Sequence, residues 1–131
     1  MDIFGKYNKG VVMSANTPRS RKAKGREFQK EIRQKLLELY PQLDPDDIKC
    51  ALMSEAGEDI KLSPAARKLI PYSIEAKRQE KLNIWDAIKQ AESNTKDGAT
   101  PVVIFKRNHS ISYAIIPADH FFELTKPKNI I

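Results

Sequence analysis

Three side chains at one spacing could do chemistry in this chain. Asp59 and Glu75 are separated by fifteen residues, and Lys77 follows Glu75 with one residue between them. Residues two apart on a strand point to the same face, so Glu75 and Lys77 project together while Ile74 and Ala76 face the other way. If Asp59 ends a neighbouring strand, its carboxylate approaches that of Glu75. Two adjacent carboxylates repel unless a cation lies between them. Hard oxygen ligands of this kind suit Mg²⁺, with Mn²⁺ as a substitute, and these ions keep several waters and accept phosphate oxygens. A lysine beside the pair can position or help activate an attacking water and stabilise charge building on phosphorus. The chemistry implied is in-line hydrolysis of a phosphodiester. Taken alone, the pattern equally describes a solvated ion pair of nearly neutral energy. Glu58, beside Asp59, points to the opposite face of a regular strand and is at most a substitute ligand.

The elements needed to position these residues are legible in the flanking sequence. Phe28, Ile32, Leu36 and Leu39 recur at spacings of three and four, which predicts a helix from about Gly25 to Tyr40, stopped by Pro41. Ile48–Met53 and Asp59–Leu62 read as strands. Ser63 and Pro64 read as the N-cap and first residue of a short helix ended by Pro71. Tyr72–Lys77 alternates as a third strand. A helix is expected over Ile84–Ser93, an uninterrupted apolar strand over Pro101–Phe105, a turn at Arg107–Ser110, a strand over Ile111–Ile116 and a short helix over Ala118–Leu124. This order predicts an α/β fold built on one mixed sheet of about five strands flanked by helices. Trp85, Phe105, Phe121 and Phe122 are expected in the core, and Cys50 as a small buried hydrophobe.

The bulk composition limits the function further. With 131 residues, of which 40% are hydrophobic, the chain supports one core. Nothing in it predicts a membrane span or a signal peptide. Its single cysteine, Cys50, allows no internal disulfide and predicts a cytoplasmic protein. No glycine-rich phosphate loop is present, so no nucleotide cofactor is expected, and His109 and His120 lack partners at metal-ligand spacing. Residues 1–35 hold 10 Lys/Arg against 3 Asp/Glu, a net of +7, although the whole chain carries only +6. Such a segment attracts a phosphate backbone by charge neutralisation and counterion release, or serves as a solubilising tail. Residues 1–24, with the cluster Arg19-Ser20-Arg21-Lys22-Ala23-Lys24, are expected to form a loose basic arm, leaving 25–131 as the folded domain. Lys24, Arg26, Lys30 and Arg33 are expected to present a phosphate-contacting face, and Arg67 to clamp a phosphate or pair with an acid.

Several runs together carry a resemblance. Lys24-Gly25-Arg26-x-Phe28-Gln29 opens the first helix. Gly57-x-Asp59-Ile60-x-Leu62-Ser63-Pro64-x-Ala66-Arg67 is followed by Pro71-Tyr72-Ser73-Ile74-Glu75-x-Lys77, then by Gln90-Ala91-Glu92 and Pro101-Val102-Val103. This set resembles small phage-type PD-(D/E)xK endonucleases and, more distantly, Holliday-junction resolvases of the same superfamily. It covers roughly residues 24–124. The Glu-x-Lys core is generic to that superfamily, and the Asp-Ile-x-Leu-Ser-Pro-x-Ala-Arg stretch is far more specific. The resemblance implies a restriction-endonuclease-like fold and a Mg²⁺-dependent DNA endonuclease, acting on branched DNA or by nicking. Asp59 and Glu75 would be metal ligands, with the backbone carbonyl of Ala76 completing the coordination. Lys77 would be the catalytic lysine and Gln90 an auxiliary polar residue. The acidic position of the first helix is ambiguous here among Glu27, Gln29 and Glu31, and the resemblance favours the Gln. One active site per chain implies a homodimer if two strands are cut. If the chain is of phage origin, it would act in the bacterial cytoplasm, and recombination, packaging or degradation of foreign DNA would all suit it. The other readings are a catalytically silent DNA-binding module of the same fold and an RNA-directed nuclease.

Overall fold

The computed structural model describes residues 17–128. Helix α1 runs from Pro18 to Leu39, with Thr17 as N-cap accepting the Ser20 amide at 3.1 Å and Pro18 at the first turn. It therefore starts seven residues earlier than expected. Residues 18–24, read as arm, belong to it, and the remainder of the arm lies outside the described residues. The signal was present in Thr17-Pro18, an N-cap followed by a proline whose missing N–H needs no partner there. The buried face of α1 is Phe28 and Ile32, with Leu36 and Leu37 half-buried beside them. Leu39, expected on that face, is 71% exposed. It is the last helical residue, and Tyr40 and Leu43 pack on the core in its place as the chain turns.

A 3₁₀ turn over Pro45–Asp47 leads into strand β1 (Ile48–Cys50), which pairs antiparallel with β2 (Ile60–Leu62). Both are shorter than expected, and Leu52 and Met53 lie exposed in the connection. Helix α2 (Pro64–Leu69) is capped by Ser63, whose hydroxyl accepts the Ala66 amide at 3.1 Å and donates to Asp47 at 2.7 Å. Strand β3 (Tyr72–Arg78) runs parallel to β4 (Thr100–Lys106), with α3 (Ile84–Ser93) as the crossover. Strand β5 (Tyr113–Ile115) adds antiparallel to β4, and α4 (Ala118–Thr125) closes the described chain.

Among the described residues the result is a mixed α/β fold with five strands, but not one five-stranded sheet. The strands form a pair, β1-β2, and a triplet, β3-β4-β5. The Asp59 amide, just before β2, donates to the Ile74 carbonyl of β3 at 3.1 Å. With β1 and β2 only three residues each, no longer ladder joins the two sheets. Helix α1 packs on β1 and β3, and α3 packs on β3 and β4. The main core lies on the α1 side, around Phe28, Ile32, Ile48, Ile60, Ile70 and Ile74. A smaller one lies under α3, where Ala87 and Ala91 meet Val103.

Trp85 and the α4 phenylalanines correct the expected core. Trp85 is 78% exposed, because it sits about 200° around the helix from Ala87, and the alanines take the sheet-facing side. Phe121 and Phe122 are also exposed, while Phe105 is half-buried against the smaller core. Cys50 is half-buried. None of the described helices is long and apolar enough to cross a membrane.

Candidate active site

Strand alternation places Ser73, Glu75 and Lys77 on the α3 side of β3. Their partners there are one helical turn apart: Asn94 Nδ2 donates to Glu75 Oε1 at 2.9 Å, and Lys77 Nζ donates to Gln90 Oε1 at 2.5 Å. Ile74 and Ala76 face the α1 core, as the alternation predicts. Asp59 reaches the same strand from the β2 end. Its amide is fixed to Ile74, and its Oδ2 accepts the Ala76 amide at 2.7 Å. Two backbone hydrogen bonds thus lock Asp59 across from the Glu75 to Lys77 segment.

Glu75 is 1% exposed, and its Oε2 is buried without a hydrogen-bond partner. Burial pushes its carboxyl up to about 7. The Asn94 hydrogen bond pulls the other way, the neighbouring Asp59 carboxylate raises it both by its charge and as a carboxyl close enough to share a proton, and Lys77 lowers it. A buried carboxylate oxygen with no partner is costly unless a proton or a cation satisfies it. Asp59 and Glu75 are hard oxygen donors beside one another, so their chemistry fits Mg²⁺ or Mn²⁺. Among the described residues, no group of three His, Cys, Asp or Glu side chains forms a ligand set. The fit is therefore to an ion that takes one or two carboxylates and completes its shell with water and phosphate oxygens, as Mg²⁺ does.

Glu58 lies in the bend before β2 rather than in a strand, and its side chain is buried in the protein. It is 2% exposed and receives both oxygens' worth of donors: Arg67 Nη2 lies 2.6 Å from Oε1 and 2.8 Å from Oε2, and Ser73 Oγ donates to Oε2 at 2.7 Å. Arg67 also donates to the Tyr72 carbonyl at 2.7 Å. Of its two expected roles, Arg67 takes the ion pair, and its guanidinium is committed to the framework beneath Asp59. Arg33 is similarly occupied by the carbonyls of Ile48 and Pro45, so it is not part of a free phosphate-contacting face.

A groove of about 650 Å³ opens over Asp59, Ala76 and Lys77. Arg21, Lys22, Lys24 and Gln29 of α1 form one wall, and Arg78, Lys81 and Asn108 lie on the other side. Asn108 Oδ1 ties the walls together, accepting from Arg78 at 2.8 Å and from Lys24 at 3.3 Å. Of the three first-helix candidates, Gln29 lines the groove, while Glu27 pairs with Lys30 at 3.4 Å and Glu31 is exposed. Arg26 and Lys30 are exposed outside it. Arg78, Lys81, Asn94 and Asn108 escaped the sequence reading. Arg78 had a signal, since it alternates with Lys77 and so shares the face of Ala76. The asparagines had none, because their roles depend on contacts far apart in the chain.

No protein-family model, no curated protein and no solved structure matches this chain. The resemblance described above rests on the quoted residues alone.

Proposed function

We propose that this protein is a Mg²⁺-dependent DNA endonuclease with a restriction-endonuclease-like arrangement of its two sheets. The observation that carries the reading is the buried Glu75, with one oxygen held by Asn94 and the other unsatisfied, neighbouring an Asp59 that, with Ala76 and Lys77, lines a basic groove which Glu75 itself does not line. A divalent cation held by Asp59 and Glu75, with the Ala76 carbonyl as a further donor, would supply Lewis-acid charge at the scissile phosphate. The chain's own residues supply the rest. Lys77, oriented by Gln90, faces the same side as Glu75 and can position the attacking water or neutralise charge on the phosphoryl oxygens. Arg21, Lys22, Lys24, Arg78 and Lys81 surround the groove with the positive charge a nucleic-acid backbone requires. DNA rather than RNA is favoured by the resemblance. A homodimer would provide two such sites for a duplex or a junction, and the cytoplasm is the compartment proposed.

The test is cleavage of labelled single strand, linear duplex, flap and four-way junction in Mg²⁺, Mn²⁺ and EDTA. Metal-dependent cutting of any of them supports the reading, and the preferred substrate defines its class. Binding without cutting would replace it with the silent DNA-binding module.

A further inference from the structure

The segment after β3 separates two grooves. Gln79 and Glu80 line the basic groove over Asp59, and they also line a second groove of about 450 Å³ on the α3 side. The second groove is of a different character. Leu82, Ile84, Phe105 and Tyr113 give it apolar and aromatic walls, and Lys106 and Arg107 stand at its margin. Tyr113 is 50% exposed and Ile84 46% exposed. The Tyr113 and Phe105 rings stack in a tilted pair with centroids 5.9 Å apart. The one carboxylate here, Glu80, is already engaged: it accepts the Asn108 amide at 2.6 Å and lies 3.7 Å from Arg78.

We infer that this second groove holds an unpaired nucleobase of the strand whose phosphates lie in the basic groove. The inference rests on the nuclease reading and narrows its substrate to single-stranded or branched DNA. A nucleobase presents apolar π-faces, and an exposed tyrosine backed by a second ring is the platform such faces use. The phosphates on either side of the base need cations, which Lys106 and Arg107 provide on one side and Lys77, Arg78 and Lys81 on the other. Both grooves border Gln79 and Glu80, so one chain of nucleotides that crosses this segment can occupy both. A base inside a continuous duplex cannot reach Tyr113 without being unstacked, and that expense is least where the base is already unpaired.

The experiment compares fluorescein-labelled dT12 with an abasic 12-mer of equal charge, by anisotropy in EDTA. Wild type is expected to bind dT12 roughly tenfold more tightly, the scale of one or two base–aromatic stacks. Tyr113→Ala is expected to abolish that preference, and Tyr113→Phe to keep it. Equal affinity of wild type for the two oligonucleotides overturns the site without any variant being needed. A preference that survives Tyr113→Ala overturns it as well. Binding to neither oligonucleotide overturns the site, while the nuclease reading then stands or falls on cutting of duplex and junction DNA. A preference that Tyr113 controls, in a protein that cuts nothing in Mg²⁺, upholds the base site and overturns the nuclease reading alone.

Discussion

Asn94 and Glu75 are joined across the packing of α3 on β3, with Asn94 Nδ2 donating to Glu75 Oε1 at 2.9 Å while Glu75 Oε2 stays buried and unsatisfied. The amide fixes which oxygen is taken and which is left. A buried acid that is half satisfied must bind either a proton or a cation to be stable. Two predictions follow from that choice.

The first concerns pH. In the metal-free protein the Glu75 carboxyl stands at about 7, against an ordinary 4.5, chiefly because it is buried. The raised value means the native state favours the protonated acid. The stability this gives is fully present below about pH 4.5 and is lost as pH rises through about 7. Urea unfolding in EDTA should therefore show Glu75 lowering stability at pH 8 relative to pH 5.5, by on the order of 2 kcal/mol. Glu75→Gln, which cannot ionise, should flatten that part of the pH dependence and be the more stable protein at pH 8. An identical pH dependence in the two proteins would contradict the burial argument.

The second concerns metal. A ligand that binds only the native state adds about 2.7 kcal/mol when present at a hundred times its dissociation constant. Mn²⁺ at pH 8 should raise the melting temperature of wild type by several degrees in scanning calorimetry. Asp59→Asn and Glu75→Gln should each remove most of that increase. A shift that persists in both variants would place the ion elsewhere.

Arg67 is predicted to matter for folding rather than for DNA contact. Arg67→Ala strands Glu58 as a buried charge with only Ser73 beside it, and breaking such a pair typically costs about 3–5 kcal/mol. Denaturant unfolding reads this directly. Unchanged stability combined with weakened DNA binding would restore the phosphate clamp.

Helix α4 leaves Phe121, Phe122 and Leu124 exposed, while Tyr72 and His120, 2.7 Å apart between oxygen and ring nitrogen, anchor its other side to β3. If this face forms the proposed homodimer, Phe122→Asp should convert a dimer to a monomer in light scattering without unfolding the chain. A monomeric wild type, with and without junction DNA, would instead favour a nicking enzyme.

Much of this arrangement could be read from the sequence, because local chemistry specified it. Ser63-Pro64 marked the start of α2, and alternation over Tyr72–Lys77 put Glu75 and Lys77 on one face. What could not be read was set by long-range packing. Hydrophobicity marks Trp85 for burial, but Ala87 and Ala91 let α3 approach Val103 closely and so determine which face turns inward. Charge marks Arg33 and Arg67 for phosphate, but backbone carbonyls and Glu58, far away in sequence or on another element, claim their donors first. The single sheet expected from five strands divides because β1 and β2 are too short to extend a ladder beyond Asp59.

Lys77 and the Asp59–Glu75 pair are proposed to form one hydrolytic centre, which is tested by setting wild type beside Lys77→Ala on a labelled four-way junction and flap in Mg²⁺. Among the described residues the Lys77 side chain is half-buried and hydrogen-bonded to Gln90, so its loss should leave the fold intact, and binding measured alongside cutting separates a lost phosphate contact from a lost catalytic one. Wild type should cut in a Mg²⁺-dependent manner, and the rate should fall by at least about a hundredfold in the variant, the scale of one transition-state contact. Cutting that is equally fast in Lys77→Ala would contradict the proposal.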